Sequence, residues 1–184
     1  PIYKLYASDG SNAPDAPEGV INTAEFVAQV RYPTTTNLLW QRASTSIGSY
    51  TADTDAPSPT VDVSGSEYTI DTTDDDLPTV KITNAKKGIY VVHVTFNTDT
   101  DSAGNIHTWA VSDGTDNRGI LSEEVGSTVA DFGRQAKTVI GAFSYSSSGT
   151  RTFELVAAVS SGTTYLEAQS NNKSVVFTIY RFAL

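Results

Sequence analysis

From Val20 onward the hydrophobic positions fall in short β-branched and aromatic runs, separated by clusters of Gly, Ser, Asn, Asp and Pro. Runs of this kind read as strands, and the clusters as the reversals between them. The pattern predicts strands over Glu25–Tyr32, Asn37–Ala43, Thr60–Val63, Glu67–Ile70, Thr79–Thr83 and Gly88–Asn97, and then over His107–Ser112, Lys137–Tyr145, Thr150–Val159, Thr163–Gln169 and Ser174–Phe182. No segment carries the period of a long helix. Strands at this spacing predict an all-β sandwich or barrel. Ser146–Gly149 and Ser160–Gly162 are placed to turn hairpins between the long C-terminal strands, because Gly and Ser tolerate the backbone angles of a tight reversal.

A sandwich strand meets the core on one face and water on the other, so its apolar residues should alternate with polar ones. Gly88–Asn97 departs from this rule. Tyr90, Val92, Val94 and Phe96 form one apolar face, while Ile89 and Val91 stand on the other beside His93 and Thr95. The last strand repeats the pattern, with Val175, Phe177 and Ile179 opposed to Val176, Tyr180, Phe182 and Leu184. Lys137–Tyr145 does the same with Val139 and Phe143 against Ile140 and Ala142. One small sandwich has too few layers to hide both faces, and an uncovered strip of this kind is an aggregation hazard. The pattern therefore predicts a homo-oligomer, with Ile89, Val91, His93, Val175, Phe177 and Ile179 as interface candidates. The competing cover is internal: loops, or the N-terminal segment.

That segment, residues 1–19, reads as an arm and linker ahead of a domain over 20–184. Ile2, Tyr3, Leu5 and Tyr6 make its start apolar, and Ala7–Gly19 collects Ser, Asp, Gly and Asn with Pro14 and Pro17. It is either a frayed end or a sheet edge, or an anchor that docks on a larger assembly. A start at Pro1 with no methionine in the chain is read as removal of an initiator, with a trimmed or secreted mature fragment as the alternative.

Composition narrows the chemistry. The chain has no cysteine, so a disulfide framework, a thiolate metal site and a cysteine nucleophile are all excluded. Its 184 residues carry a formal charge of -9, which repels phosphate backbones and anionic lipid surfaces and argues against nucleic acid as a partner. No stretch approaches the roughly 20 apolar residues of a membrane-spanning helix, so membrane insertion is not expected.

The two histidines, His93 and His107, have no second ligand at metal spacing nearby. Serines are abundant, but no Gly-x-Ser-x-Gly elbow is present. Asp74–Asp76 and Glu123–Glu124 are adjacent in sequence, which does not place two carboxyls across a cleft as glycoside hydrolysis needs. Asp99–Asn105 begins like a calcium loop, yet Ala103 and Ala110 stand where an EF-hand needs ligands. A different calcium arrangement through Asp99, Asp101, Asp113 or Asp116 stays open. No phosphate loop, redox motif or cofactor signature is present, so no cofactor is expected. Tyr32, Tyr50 and Tyr68, if exposed, would offer stacking surfaces for a sugar or peptide.

Asn84-Ala85-Lys86-Lys87-Gly88-Ile89-Tyr90-Val91-Val92-His93-Val94-Thr95-Phe96 resembles the Gly-x-Tyr strand of the tumour necrosis factor and complement globular-head superfamily. Phe153–Glu167 is similar to that superfamily's late hairpin and Val175–Leu184 to its closing strand, with Trp40 at the place of an early core tryptophan. The turn before Tyr165 lacks the Gly-Asp pair common in complement heads. The resemblance implies a jelly roll of about ten strands that associates as a compact homotrimer. It extends to the small trimeric jelly rolls that serve phages as head-decoration, fibre or receptor-binding proteins. The resulting expectation is a non-enzymatic attachment or structural protein of a virion, anchored to a capsid through its arm. The alternative is a secreted, extracellular module that binds a glycan or a receptor.

Overall fold

The computed structural model describes residues 24–32, 38–52, 56, 58–73, 76–100, 104–124, 135–167 and 175–183. Among these residues it has twelve strands and no helix. They are β1 (Glu25–Tyr32), β2 (Leu38–Arg42), β3 (Thr60–Ser64), β4 (Ile70–Asp71), β5 (Thr79–Ala85), β6 (Gly88–Thr100), β7 (Ile106–Ser112), β8 (Asn117–Glu124), β9 (Gln135–Tyr145), β10 (Gly149–Val159), β11 (Thr164–Glu167) and β12 (Val175–Phe182). The arm residues Ile2, Tyr3, Leu5 and Tyr6 lie outside the described residues.

The strands form two antiparallel sheets. In the first, β6 is the spine: β9 pairs along one of its edges, and β12 followed by β11 pairs along the other. β1 and β3 extend the sheet beyond β12, and β2 extends it beyond β11. The second sheet runs β4-β5-β10-β7-β8. From β5 on, the chain passes repeatedly between sheets, with β6, β9, β11 and β12 in the first and β7, β8 and β10 in the second. This is a jelly-roll sandwich, and it confirms the all-β reading of the sequence.

The core lies where the inward faces meet. Tyr90, Val92, Val94 and Phe96 of β6 face Trp109 and Val111 of β7 and Phe153, Leu155 and Ala157 of β10, all of them buried. Rings interlock across the gap, Phe96 on Trp109 at 5.7 Å and Phe143 on Phe153 at 5.3 Å. Val175, Phe177 and Ile179 belong to this core as well. Their Cα partners on β6 are Phe96, Val94 and Val92, and all three are fully buried within the chain. They therefore have no surface to offer a neighbour, and the interface role read for them from the sequence is corrected.

The three tyrosines proposed as stacking surfaces are likewise buried. The Tyr32 ring meets Trp40 edge-on at 5.1 Å, and its hydroxyl accepts from the Thr79 amide at 3.1 Å. The same hydroxyl faces the carbonyls of Leu77 and Thr79 at 2.9 and 2.8 Å, while the Trp40 indole donates to the Asp76 carbonyl at 2.9 Å. Together they hold the approach to β5. Tyr68 helps close the opposite end: its hydroxyl donates to Glu25 at 2.7 Å, and the Arg181 guanidinium donates to the same carboxylate at 2.6 Å and to the Lys87 carbonyl at 2.7 Å. Lys86 pairs with both Glu25 and Glu67. This network ties β1 and β12 to the turn that enters β6.

β8 was not predicted. Its residues, Asn-Arg-Gly-Ile-Leu-Ser-Glu-Glu, are mostly exposed, and partial burial alternates with exposure only from Leu121 on. A bulge between Trp109 and Val111 breaks its ladder with β7, and there Gly119 rests directly on the Ile140 backbone of β9. Gly119 has φ +65°, and a methyl group at this point would run into the Ile140 carbonyl. The edges of the two sheets meet here, assisted by an ion pair between Lys137 of β9 and Glu123 of β8.

Two predictions follow from these contacts. Gly119→Ala combines steric overlap with a left-handed backbone and should lower stability by about 1–3 kcal/mol in urea unfolding; a loss under about 0.5 kcal/mol would mean that the two edges are not held together here. The second concerns acid. Burial opposes the Glu25 charge, but the hydrogen bonds from Tyr68 and Arg181 outweigh it and hold this carboxyl below the usual range. Hydrogen bonds from Thr73 and Lys81 lower Asp71 to about 2. A carboxylate depressed in the folded state adds stability above its unfolded pKa, near 4, and loses that contribution as pH falls through its folded value. This carboxylate contribution to the melting temperature should be intact from about pH 7 to 5 and be lost below about pH 4. Glu25→Gln should start lower at neutral pH and fall less steeply in acid; an equal slope would remove Glu25 from the acid response.

Candidate functional site

The surface that stands out is the outward face of the first sheet. β6 contributes Ile89, Val91, His93 and Thr95, whose side chains point away from the core because their neighbours point into it. Across from Val91 stand Ala142 of β9 and Tyr180 of β12, and across from Tyr180 stands Phe26 of β1. Phe182 opposes Ile89 on β12, and Val176 opposes Thr95. The Phe26 and Tyr180 rings meet edge-on at 5.7 Å. Side chains directly opposite on antiparallel strands are close enough to touch, so Ala142, Val91, Tyr180 and Phe26, with Ile89 and Phe182 beside them, form an apolar strip across four strands. Much of it is open: Ile140 is 53% exposed and Tyr180 38%.

Ile89, Val91 and His93 thus lie together, half-buried, on one outward face. Sequence reasoning found this half of the face but missed its β12 half, where Val176, Tyr180 and Phe182 take the places assigned to Val175, Phe177 and Ile179. It also missed Phe26, because a bulge between Phe26 and Ala28 shifts the register and turns Phe26 outward beside Tyr180. His93 has Ile140 opposite it on β9 and Thr178 on β12, with Gln29 beyond donating to the Thr178 hydroxyl at 3.3 Å. His107 is buried in the core, stacked on Trp109 at 5.8 Å between ring centres.

The structure does not bring the calcium candidates together. Asp99 lies at the far end of β6, paired across to Tyr165, whereas Asp113 and Asp116 sit in the β7–β8 turn at the other end of the sandwich. Asp101 lies outside the described residues. One Asp113 oxygen accepts from the amides of Thr115 and Asp116 at 3.0 and 2.8 Å, and the other accepts from the Tyr145 hydroxyl at 2.8 Å. Burial works against its charge, but these bonds prevail and keep the carboxyl below its ordinary range. Asp116 pairs with Arg118 at 2.8 Å. These carboxylates serve as turn and strand-end fasteners. Among the described residues, no group of three His, Asp or Glu is arranged to hold a metal ion, and no helix is long and apolar enough to cross a membrane.

Among the described residues, a hollow at the start of β7 is lined by Thr45, Ile106, Thr108, Ala158, Val159 and Ser160. Hydroxyls and small apolar groups line it, with no titratable side chain, so it holds no acid, base or charged nucleophile.

No protein family matches the chain by its sequence, and no curated protein matches it. Among solved structures the chain is similar to the Eiger TNF of S. frugiperda, at 15% identity and a TM-score of 0.48, covering 86% of this chain and 94% of that one. It is similar to PRD1 vertex protein P5 at 14% identity and a TM-score of 0.43, covering 87% and 99%. Murine APRIL matches at 7% identity and a TM-score of 0.45, covering 85% and 98%.

Proposed function

We propose that this chain is a non-enzymatic attachment or structural protein that works as a homotrimer, its copies packed through the outward face of the first sheet. The observation that carries the proposal is that face itself, where Phe26, Val91, Ile140, Ala142, Tyr180 and Phe182 stand in register on four neighbouring strands. An apolar surface of this kind on a solvent-facing sheet marks an interaction site. Repeating one contact around a closed ring satisfies every copy equally and leaves no face open for further growth. Three copies is the number that the sequence resemblance implies.

The finer reading is a phage capsid-decoration or fibre protein, with residues 1–19 as the anchor to the particle. Its support is the order of the chain: a short apolar segment, then a polar linker with Pro14 and Pro17, then a cysteine-free acidic domain. The glycan-binding alternative relied on Tyr32, Tyr50 and Tyr68, and their burial leaves it without that stacking surface.

Light scattering coupled to size exclusion tests the assembly. The wild-type mass should be three times the 19.6 kDa chain. Val91→Glu should give a folded single chain, because each copy would carry an unpaired carboxylate into the interface at a cost of several kcal/mol. A variant that remains assembled would move the interface elsewhere. Deleting residues 1–19 should leave the number of copies in the assembly unchanged, since the arm's role is to reach a partner; dissociation on deletion would instead make the arm part of the contact between copies.

A further inference from the structure

We infer, resting on the assembly proposed above, that His93 makes that assembly acid-labile: the copies hold together while its imidazole is neutral and separate once it is protonated. The argument is one of position and surroundings. His93 sits mid-strand on β6, flanked on the same face by Val91 and Thr95 and opposed by Ile140 and Thr178. A neutral imidazole packs acceptably among such groups. An imidazolium does not, unless a carboxylate meets it.

None of the described residues next to His93 supplies one. The elements packed beside His93 are β9 and β12, whose nearest outward groups are Thr138, Ile140, Ala142, Val176, Thr178 and Tyr180; of these only the Tyr180 phenol can titrate. On β1, one strand further, the outward groups are Phe26, Gln29 and Arg31. Arg31 is a cation already committed to Asp62. On β6 itself the next acidic residue of the same face is Asp99, six residues away, which at ~3.3 Å per residue is roughly 20 Å along the strand. Every copy brings the same His93 to the contact, so protonation adds like charges in a symmetric set and each arrives without a partner. Histidine is the side chain whose ordinary charge change falls within the mildly acidic range. The other histidine, His107, is buried in the core against Trp109 and does not reach the outward face.

The test is the mass of the full chain in light scattering at about pH 8 and about pH 5, with near-ultraviolet circular dichroism recorded alongside to show that the core survives. Wild type should be assembled at the higher pH and fall to the 19.6 kDa single chain at the lower, with its dichroism intact. His93→Gln and His93→Phe, which cannot gain charge, should stay assembled at both, and either of them suffices for the comparison. Wild type that stays assembled in acid overturns the role of His93 and leaves the assembly standing. Acid dissociation of the variants alongside wild type also overturns it, as does loss of the core's dichroism in step with the mass. Failure of both variants to assemble at about pH 8 would make the imidazole a required contact and not a switch. A wild-type single chain at about pH 8 removes the assembly reading, and this inference with it.

Discussion

The architecture depends on β6 being committed on all four sides. Its backbone is paired along one edge by β9 and along the other by β12 and β11. Tyr90, Val92, Val94 and Phe96 fill the core from one face, and Ile89, Val91 and His93 present a second surface on the other. A strand enclosed in this way cannot slide: a one-residue slip would bring His93 and Thr95 into the core and push Tyr90 and Phe96 out. The register of β9 and β12 follows from that of β6, and the register of β1 follows from β12. The outward surface is therefore held as firmly as the core, because the same backbone carries both.

The ends of the sandwich are closed by polar groups with assigned partners. At one end Tyr32 and Trp40 pin the approach to β5 through backbone carbonyls. At the other, Glu25 gathers Arg181, Tyr68 and Lys86 at the points where β1 starts and β12 finishes. Removing one partner from a half-buried set of this kind leaves another without its bond, which is why these groups matter more than exposed ion pairs such as Arg118 with Asp116. Along the side, Gly119 lets β8 lie on the β9 backbone, so the two sheet edges shield one another where an open edge would invite pairing with another chain.

The carboxylates with displaced ionisation, Glu25, Asp71 and Asp113, are each explained by hydrogen bonds within strands and turns. On the outward face His93 stands between Val91 and Thr95, opposite Ile140 and Thr178.

The period-two alternation by itself determined the all-β class and most of the strands, because a half-buried strand must alternate and a turn must have residues that can bend. β1 was legible over its full length for this reason, Glu25–Tyr32. β8 was not, since its first four residues are exposed and its apolar residues Ile120 and Leu121 are adjacent, which leaves no apolar alternation to read. The double-faced character of β6, β9 and β12 was also present in the residues. What the sequence could not say was which face of β12 turns inward: Val175, Phe177 and Ile179 are as apolar as Val176, Tyr180 and Phe182, and only pairing with β6 decides between them. The burial of Tyr32, Tyr50 and Tyr68 and the outward turn of Phe26 were settled in the same way, by neighbours remote in sequence and by a single bulge. Local pattern specifies that a residue alternates, whereas the direction in which it points is set by the long-range partner that buries the other side.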